Sequence, residues 1–318
     1  MHSEKHWDVI IAGGSLAGLV YGIILKRQGY SVCILERAES SIRLSKAAGI
    51  GIAANGQKFL EQYDLLHQTN PLGFPVSGSA NYHPNGKLKS QLTKSFRLST
   101  WDALYYRLRA NFDGYTSQFG KAPDALPGDG ESFYATGNRV TNFSVVGDTV
   151  EVICEDLNSL KQRKHQCAML IGADGLNSTI KRVLVPQTKM TYSGYVMWRG
   201  TVPISKLSST SRSGLERLRA FILPNNIGYV VVLILKNSYG IPGEWGTLED
   251  EERHVNFVWY EHATDEILVD SDGHKHRTTL PRGKMLTERW AAQVEKARYM
   301  PSAIREICEK IEDHSSRQ

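Results

Sequence analysis

A glycine-rich segment near the N-terminus, Gly13-Gly14-Ser15-Leu16-Ala17-Gly18, has the spacing of residues that grip a phosphate. It follows a short apolar run at 9–12 and precedes an apolar stretch with helical periodicity. Gly13 can make the tight turn, Gly18 lets the helix approach the sheet, and the helix N-terminus offers unpaired N–H groups to a pyrophosphate. Ser15 replaces the middle glycine of G-x-G-x-x-G, and its hydroxyl can donate to a phosphate oxygen. The segment therefore predicts a dinucleotide site.

A carboxylate, Glu36, stands at the end of the second predicted strand, residues 30–35. Before that strand, the helical pattern is expected to run to Gln28 and to stop at Gly29 in the left-handed conformation. Glu36 comes 18 residues after Gly18, close to the spacing at which an acid accepts hydrogen bonds from an adenosine ribose. Because an acid disfavours a ribose 2′-phosphate, the pattern favours FAD or NAD over NADP at this site.

A second motif, Gly172-Ala173-Asp174-Gly175, follows an apolar run that is predicted to be a buried strand, residues 167–171. The next helix is expected to be capped by Asn177 or Ser178. In such a turn Asp174 can accept from backbone N–H groups and fix the turn, or it can contact a ribityl chain or a nucleotide. The pattern by itself favours the turn-fixing interpretation.

Length, composition and charge indicate an ordinary globular protein with two packed lobes. The 318 residues exceed the usual size of a single core, and 41% of them are hydrophobic. The net charge of +5 is modest, and the one dense basic run, residues 161–165, is interpreted as a solvated turn, so no nucleic-acid partner is expected. The four cysteines show no metal spacing and no C-x-x-C pattern, and they are predicted to be reduced packing residues.

The apolar runs predict neither a signal peptide nor a membrane span. The N-terminus lacks the apolar core of a signal peptide, and the longest apolar run, residues 229–235, is too short to cross a bilayer. A cytoplasmic location is therefore expected.

Changes of pattern along the chain predict an α/β fold in which a Rossmann-like nucleotide-binding domain is interleaved with a β-sheet lobe. Residues 1–78 and 100–190 form the discontinuous nucleotide-binding domain, and a polar, turn-rich excursion at 79–99 interrupts it. Residues 191–285 form the β lobe, and residues 286–318 form a C-terminal helical segment that ends in a polar tail.

Together, the glycine segment and the Gly-Ala-Asp-Gly motif resemble those of the flavin-dependent aromatic hydroxylases, single-component FAD monooxygenases that use NADPH or NADH. Within that family the sequence is most similar to members like 2,6-dihydroxypyridine 3-hydroxylase. The supporting segments are Trp101 with Leu104-Tyr105-Tyr106-Arg107-Leu108-Arg109, then Tyr195-Val196-Met197-Trp198-Arg199-Gly200, and then Asn256-Phe257-Val258-Trp259-Tyr260. The resemblance implies a GR2-type FAD-binding domain, a substrate-binding β lobe, and hydroxylation of an aromatic or heteroaromatic small molecule with O2 as the oxygen source.

The resemblance also implies roles for individual site residues. The turn around Ser15 would face the FAD pyrophosphate, and Glu36 would face the adenosine ribose, with the adjoining Arg37 counted among the cofactor-binding residues. Gly49 would lie on the flavin side of the cofactor, and Asp174 would lie near the ribityl chain and the NAD(P)H approach.

Three further candidates each have an open alternative. Trp101 occupies the position at which the family usually has a flavin-contacting arginine, so Arg107 is a substitute candidate for that contact. Arg107 is equally interpreted as a surface arginine on an amphipathic helix. Arg199 could hold a phenolate-like substrate or a developing anion, or it could pair with a carboxylate at the sheet edge. Tyr229 could donate to a substrate oxygen, although a core tyrosine whose hydroxyl reaches the rim is the more common arrangement.

The family's third motif, a strand-ending Gly-Asp that binds the ribityl phosphate, has no counterpart here, because no Gly-Asp pair follows Gly147-Asp148. The chain is therefore expected to be C-terminally truncated, with a central strand missing and apolar faces uncovered. Two functions follow: an FAD-dependent monooxygenase, or a catalytically impaired nucleotide-binding remnant that depends on a partner. The Gly-Ala-Asp-Gly motif disfavours an NAD-dependent dehydrogenase. The expected partners are a small aromatic substrate and O2, and a homodimer is left open.

Overall fold

A computed structural model of the chain describes residues 6–40, 49–67, 72–83, 87–214, 219–222, 229–233, 254–281, 283–311 and 315–317. The chain divides into two compact units. Unit 1 comprises Met1–Lys46, Asn55–Leu72 and Trp101–Met190, and unit 2 comprises Ala47–Ala54, Gly73–Thr100 and Thr191–Gln318. Both units are therefore discontinuous in sequence.

The strands, in chain order, are β1 (His6–Ala12), β2 (Val32–Leu35), β3 (Gly49–Ile52), β4 (Phe74–Tyr82), β5 (Leu88–Thr100), β6 (Ser132–Ala135), β7 (Asn138–Val146), β8 (Thr149–Asp156), β9 (Lys161–Gly172), β10 (Tyr195–Pro203), β11 (Arg219–Ile222), β12 (Tyr229–Leu233), β13 (His254–His262) and β14 (Ser315–Arg317). The α-helices are α1 (Leu16–Arg27), α2 (Ala54–Tyr63), α3 (Trp101–Asp113), α4 (Thr179–Leu184), α5 (Ser209–Gly214), α6 (Thr287–Lys296) and α7 (Ser302–Lys310). Within the described residues, no helix has the length and apolar character that spanning a bilayer requires.

Unit 1 is built on a six-stranded sheet in the order β6-β2-β1-β9-β8-β7. Strands β6, β2, β1 and β9 run parallel, and β8 and β7 continue the sheet as antiparallel neighbours. Helix α1 makes the crossover between β1 and β2, as the glycine segment predicted. Because parallel strands end at the same edge, the pairing of Ala12 with both Leu35 and Gly172 brings the ends of β1, β2 and β9 together. The predicted α/β fold class is confirmed.

Helices α1 and α3 pack against one face of this sheet. Val9 and Ile11 of β1 meet Leu19 of α1 and Phe112 of α3 in one buried cluster. The fit is close, since a Cβ at Gly22 would lie 2.9 Å from the Phe112 ring. The first βαβ unit is therefore held by apolar packing that leaves no room for a side chain at this helix position.

Helix α3 is buried on almost all sides, whereas one of the two interpretations left open for Arg107 placed it on the surface of an amphipathic helix. Arg107 donates to Oδ2 of Asp64 at 2.8 Å, and the two side chains are 3% and 1% exposed. The other carboxylate oxygen of Asp64 accepts from Asn111 at 2.8 Å. The surface interpretation of Arg107 is therefore wrong, because a guanidinium can enter a core when a buried carboxylate neutralises it.

Unit 2 contains an eight-stranded sheet in the order β14-β10-β13-β12-β11-β4-β5-β3. Helices α6 and α7 cover one face of it: Trp198 and Trp259 of the sheet are buried in one cluster with Trp290 of α6 and Ile304 of α7. The C-terminal segment 286–318 therefore belongs to unit 2 instead of standing apart from the β lobe. Its expected polar tail supplies the short strand β14 beside β10.

The stretch at 79–99 is a pair of strands and not the turn-rich segment that its polar composition indicated. Strands β4 and β5 pair in antiparallel fashion and belong to unit 2, together with residues 73–78, which had been expected in the nucleotide-binding domain. Residues 88–91 of β5 are exposed, so polar side chains there do not need to be buried. Besides pairing with each other, β4 pairs with β11 and β5 pairs with β3, and local composition does not reveal these more distant partners.

The C-terminal half of β9 is more exposed than the buried strand predicted at 167–171. Strand β8 pairs with residues 161–167, so within the described part of the chain the outer side of β9 carries no second strand after Cys167. Met169 is 54% exposed. Other large apolar residues that are exposed on the following segment are Leu176, Val183 and Leu184. Exposed apolar groups and an open strand edge are surfaces that a further strand or a partner commonly covers.

The four cysteines are buried free thiols, as predicted. Burial raises the pKa of Cys154 to about 11 and the pKa of Cys308 to about 12. Both thiols therefore stay protonated near neutral pH and act as packing groups.

Removal of the buried partner of Arg107 should destabilise the chain strongly. Asp64→Ala leaves the guanidinium buried without its carboxylate, and we expect the free energy of unfolding to fall by about 3–5 kcal/mol. The control is Glu309→Ala, which removes an exposed ion pair with Arg305 in α7 and should cost at most about 1 kcal/mol. Urea denaturation followed by circular dichroism measures both losses, and equal losses would contradict the structural role given to Arg107.

Candidate functional site

A cleft of about 400 Å³ lies within unit 1 where β1, β2 and β9 end. A volume of this size is typical of sites that hold small molecules or cofactors. Five of the predicted cofactor-binding residues line it: Gly13, Ser15, Glu36, Arg37 and Asp174. Two motifs that are distant in sequence therefore meet in one cleft.

The glycine turn is pressed against the second motif. Gly13 has a φ of 100°, a left-handed value that favours glycine, and a Cβ there would lie 2.4 Å from the carbonyl oxygen of Ala173. A Cβ at Gly18 would lie 2.0 Å from the carbonyl oxygen of Gly13. Both glycines are therefore needed for the turn, the helix and the second motif to approach each other this closely.

The N-terminus of helix α1 lies at the cleft, next to the N-cap residue Ser15, which lines it. Ser15 occupies the N-cap position, and its side chain makes no capping hydrogen bond. The first turn, which includes Leu16 and Ala17, contains no acidic residue. The N–H groups of this turn can therefore bind an anion, and the Ser15 hydroxyl can donate to it. At its other end the helix stops before Gly29, which has the predicted left-handed φ, here 89°.

Glu36 fixes the shape of the glycine turn from the end of β2. Glu36 is only 5% exposed. Its Oε2 accepts a hydrogen bond from the N–H of Gly14 at 2.7 Å, and its Oε1 accepts one from the N–H of Ala38 at 2.9 Å. Each carboxylate oxygen can accept more than one hydrogen bond, so these contacts leave capacity for ribose hydroxyls. Glu36 therefore fixes the turn and also presents an acceptor group to the cleft.

A pair of tyrosines, the buried Tyr105 and the half-buried Tyr134, lies behind the turn and was not found from the sequence. Tyr134 of β6 donates to the carbonyl oxygen of Gly14 at 2.7 Å, and its hydroxyl lies 3.1 Å from that of Tyr105. Because Tyr134 uses its proton for Gly14, Tyr105 must donate to Tyr134 and accept from Arg109, which lies 3.1 Å away. Burial, together with the neighbouring Tyr105, raises the pKa of Tyr134, so its hydroxyl stays protonated and remains a donor.

Arg109 anchors this relay of hydrogen bonds. Its guanidinium lies 3.7 Å from the centroid of the Tyr134 ring and makes several hydrogen bonds to the carboxylate of Asp113. Burial acts to lower the pKa of Arg109, but the bonds to Asp113 outweigh this effect and raise the pKa above its usual value. No spacing rule links a tyrosine at 134 to a turn at 14, so pattern reasoning had no signal by which to find the relay.

One carboxylate oxygen of Asp174 fixes its turn, and the other is unsatisfied. Oδ2 accepts from the N–H groups of Thr179 and Ile180 at 2.6 and 3.3 Å, where α4 begins. Ser178, one of the two expected caps, accepts from the N–H of Lys181 at 2.9 Å. Oδ1 is buried and has no hydrogen-bond partner among the described residues. The turn-fixing interpretation is correct for Oδ2, while Oδ1 is an acceptor that a ligand in the cleft could satisfy.

Three arginines line the cleft together with the carboxylates of Glu36 and Asp174. The arginines are Arg37, Arg139 and Arg182. Arg139 also pairs with Glu155, and Arg182 donates to the hydroxyl of Thr179 at 3.1 Å. The resulting local field favours an anionic ligand such as a pyrophosphate.

The remaining predicted site residues lie elsewhere in the fold. Gly49 is the first residue of β3, and Arg199 is half-buried in β10, both in unit 2. Tyr229 begins β12, but its side chain lies outside the described part of the chain. Arg107 is absent from the lining of the cleft, and its buried ion pair favours a structural role over a flavin contact.

Family models match both units of the chain. Residues 6–105 match a model described as an FAD binding domain, and residues 192–314 match a model described as FAD binding domain-like. The first match contains the glycine turn and Glu36, which line the cleft of unit 1.

Similar proteins include monooxygenases and plant zeaxanthin epoxidases. The chain is 28% identical over 220 residues to aurachin C monooxygenase/isomerase of Stigmatella aurantiaca, and the matched region covers 68% of this chain and 53% of that protein. It is 24% identical over 280 residues to 2,6-dihydroxypyridine 3-monooxygenase of Paenarthrobacter nicotinovorans, and the matched region covers 86% of this chain and 61% of that protein. The chain thus spans little more than half the length of these relatives.

A solved structure, that of 2,6-dihydroxypyridine-3-hydroxylase from Arthrobacter nicotinovorans, has the same fold. The TM-score is 0.74 at 19% identity, and the match covers 99% of this chain and 72% of that one. The chain therefore contains a segment that matches an FAD binding domain model, is similar in sequence to monooxygenases, and has the fold of this hydroxylase.

Proposed function

We propose that this chain binds FAD through unit 1 and acts as an NAD(P)H-using monooxygenase that hydroxylates an aromatic or heteroaromatic small molecule. The observation that carries the proposal is the meeting of Glu36 and Asp174 beside the glycine turn, in one cleft of suitable size. NADPH or NADH would be the reductant, and O2 would be the second substrate. The names of the relatives, one of them a dihydroxypyridine monooxygenase, support this choice of reaction.

The described residues fit the adenosine diphosphate half of FAD and the start of its ribityl chain. The first turn of α1 with Ser15 would hold the pyrophosphate, and Glu36 would accept from the ribose hydroxyls. Oδ1 of Asp174, which is buried without a partner, would accept from a ribityl hydroxyl. Because Gly13 has no Cβ, its backbone can lie close to the second motif, and both parts of the site can contact one ligand.

FAD, when bound, supplies the transfer of electrons from NAD(P)H and the activation of O2 for attack on the ring. The residues of the chain would bind and orient the cofactor and the substrate. In unit 2, Arg199 would hold a phenolate-like substrate, because a guanidinium donates to an oxyanion with a fixed geometry. Tyr229 would donate to a substrate oxygen.

The second candidate function is that of a catalytically impaired nucleotide-binding chain that depends on a partner. Met169 and Leu184 are exposed, and the described part of the chain supplies no strand for the outer side of β9 after Cys167. Such a surface favours completion by a further segment or another polypeptide. In that case the chain alone would hold the nucleotide weakly and would have little activity.

The two candidates predict different behaviour of the purified chain with FAD. The monooxygenase proposal predicts a yellow protein with near-stoichiometric flavin absorbance, and oxidation of NADPH or NADH that 2,6-dihydroxypyridine stimulates. Gel filtration in FAD followed by absorbance spectroscopy measures the first property, and the decrease in dihydronicotinamide absorbance measures the second. Colourless protein that FAD cannot reconstitute would contradict the monooxygenase proposal for the chain alone and favour the partner-dependent form.

Replacement of the ribose-binding acid should weaken FAD binding selectively. In Glu36→Gln an amide N–H group must face the N–H of either Gly14 or Ala38, and the charged acceptor for the ribose is lost. We expect the Kd for FAD to rise about 10- to 100-fold, which corresponds to the loss of charge-assisted hydrogen bonds. The matched control is Glu39→Gln, an exposed acid three residues further on. Quenching of flavin fluorescence gives both constants, and an equal Kd for the two variants would show that Glu36 has no ribose role.

A methyl group at Gly13 should separate the two motifs. Gly13→Ala places a Cβ against the carbonyl of Ala173, and we expect FAD binding to be lost. Gly128→Ala is the control, because Gly128 also has a positive φ, 88°, but has nothing within 4 Å of the added atom. The control should cost only about 1–2 kcal/mol of stability and leave the Kd for FAD unchanged. Retention of FAD binding by Gly13→Ala would contradict the geometry assigned to the cleft.

A further inference from the structure

A buried asparagine in the sheet of unit 2 has an oxygen that no hydrogen bond satisfies. Asn256 of β13 is 9% exposed, and its Oδ1 has no partner among the described residues. An unpaired buried amide oxygen costs stability, so such groups require an explanation, and a ligand is one. The flanking residues Val255 and Phe257 are buried in the core that α6 and α7 cover. Strand alternation therefore assigns Asn256 to the opposite face of the sheet.

The same face carries Arg199. In the register of β10 and β13, Arg199 is opposite Val258 and Thr201 is opposite Asn256. Because paired residues share a face and every second residue returns to it, these four residues lie on one face. Arg199 and Asn256 are diagonal neighbours, and in such pairs the Cβ atoms are roughly 7 Å apart. A small planar molecule can reach both side chains at this separation.

The two side chains are complementary to two adjacent groups on a ligand. An amide oxygen accepts hydrogen bonds and disfavours an anion, so the group that faces Asn256 must carry an N–H or O–H. A guanidinium only donates, so the group that faces Arg199 must be a carbonyl oxygen or an oxyanion. Arg199, Thr201 and Val258 are half-buried, which leaves this face partly accessible. A ring lactam carries the required N–H and C=O on neighbouring atoms.

We propose that Asn256 is a specificity-determining residue that accepts a hydrogen bond from the ring N–H of a heteroaromatic lactam, while Arg199 donates to the adjacent carbonyl oxygen. The substrate class of the proposed monooxygenase is thereby narrowed to pyridone-like and quinolone-like rings. The fate of the bound ring rests on the proposed function, but the binding itself does not need FAD.

Two planar probes of nearly equal shape test this proposal on the full chain without added FAD. The first is 2-quinolone, which has a ring N–H beside its carbonyl, and the second is coumarin, which has a ring oxygen in that position. We expect the wild-type chain to bind 2-quinolone at least about tenfold more tightly than coumarin, because an acceptor built into a site rejects an analogue that lacks the donor. Ligand-observed NMR titrations give both dissociation constants.

The variant Asn256→Leu should remove this preference without unfolding the chain. We expect its affinity for 2-quinolone to fall about tenfold to that for coumarin, while its melting temperature stays the same or rises, because an unsatisfied polar group is replaced by an apolar one of similar size. Asn142→Leu, at an exposed position in β7, is the matched control and should keep the wild-type preference.

Three outcomes would overturn the proposal. The wild-type chain could fail to prefer 2-quinolone, or bind neither probe. Asn256→Leu could retain the preference. It could also lose affinity for both probes together with a lower melting temperature, which would assign Asn256 to the structure of the sheet. A separate FAD titration of the same proteins reports on the proposed function, so a failure there is distinguishable from a failure of the lactam site.

Discussion

The contact between the turn after β1 and the turn after β9 is the constraint on which the nucleotide cleft depends. The two strands are parallel neighbours, and the N–H of Ala173 donates to the carbonyl of Ala12 at 2.8 Å, so both turns leave the sheet side by side. Gly13 then packs against Ala173 with no room for a Cβ. This contact places the carboxylate of Asp174 in the same cleft as the N-terminus of α1.

Buried polar groups behind the cleft hold this contact in one shape. Glu36 accepts a hydrogen bond from the N–H of Gly14, and Tyr134 donates one to the carbonyl oxygen of Gly14. Both backbone polar groups of this turn residue are therefore fixed by side chains. Arg109 donates to the hydroxyl of Tyr105, which in turn donates to the hydroxyl of Tyr134. A polar network with all its hydrogen bonds made rigidifies a site before the ligand binds. Asp174 and Asn256 differ from this pattern, since each has a buried oxygen with no hydrogen-bond partner in the described part of the chain, and each is proposed to contact a ligand.

Sequence reasoning worked where the determinants are local. The turn at Gly13, the helix stop at Gly29 and the acid at Glu36 all follow from spacing within one βαβ unit, and the structure has them where they were expected. It failed where a residue's environment is set by a distant partner. Arg107 is paired with Asp64, 43 residues away, and no local pattern distinguishes a neutralised arginine from a surface one. Tyr134 is likewise defined by its contact with a turn 120 residues earlier.

We expect the glycine turn and the aspartate turn to bind one ligand as a single site. Hydrogen–deuterium exchange with and without FAD tests it most directly, because it reports on the backbone amides of both turns in the same sample. The account predicts that FAD slows exchange in residues 13–18 and in residues 173–179 together, with the same dependence on FAD concentration, while the hairpin tip at 146–149 is unchanged. Protection of the first turn without the second would contradict it.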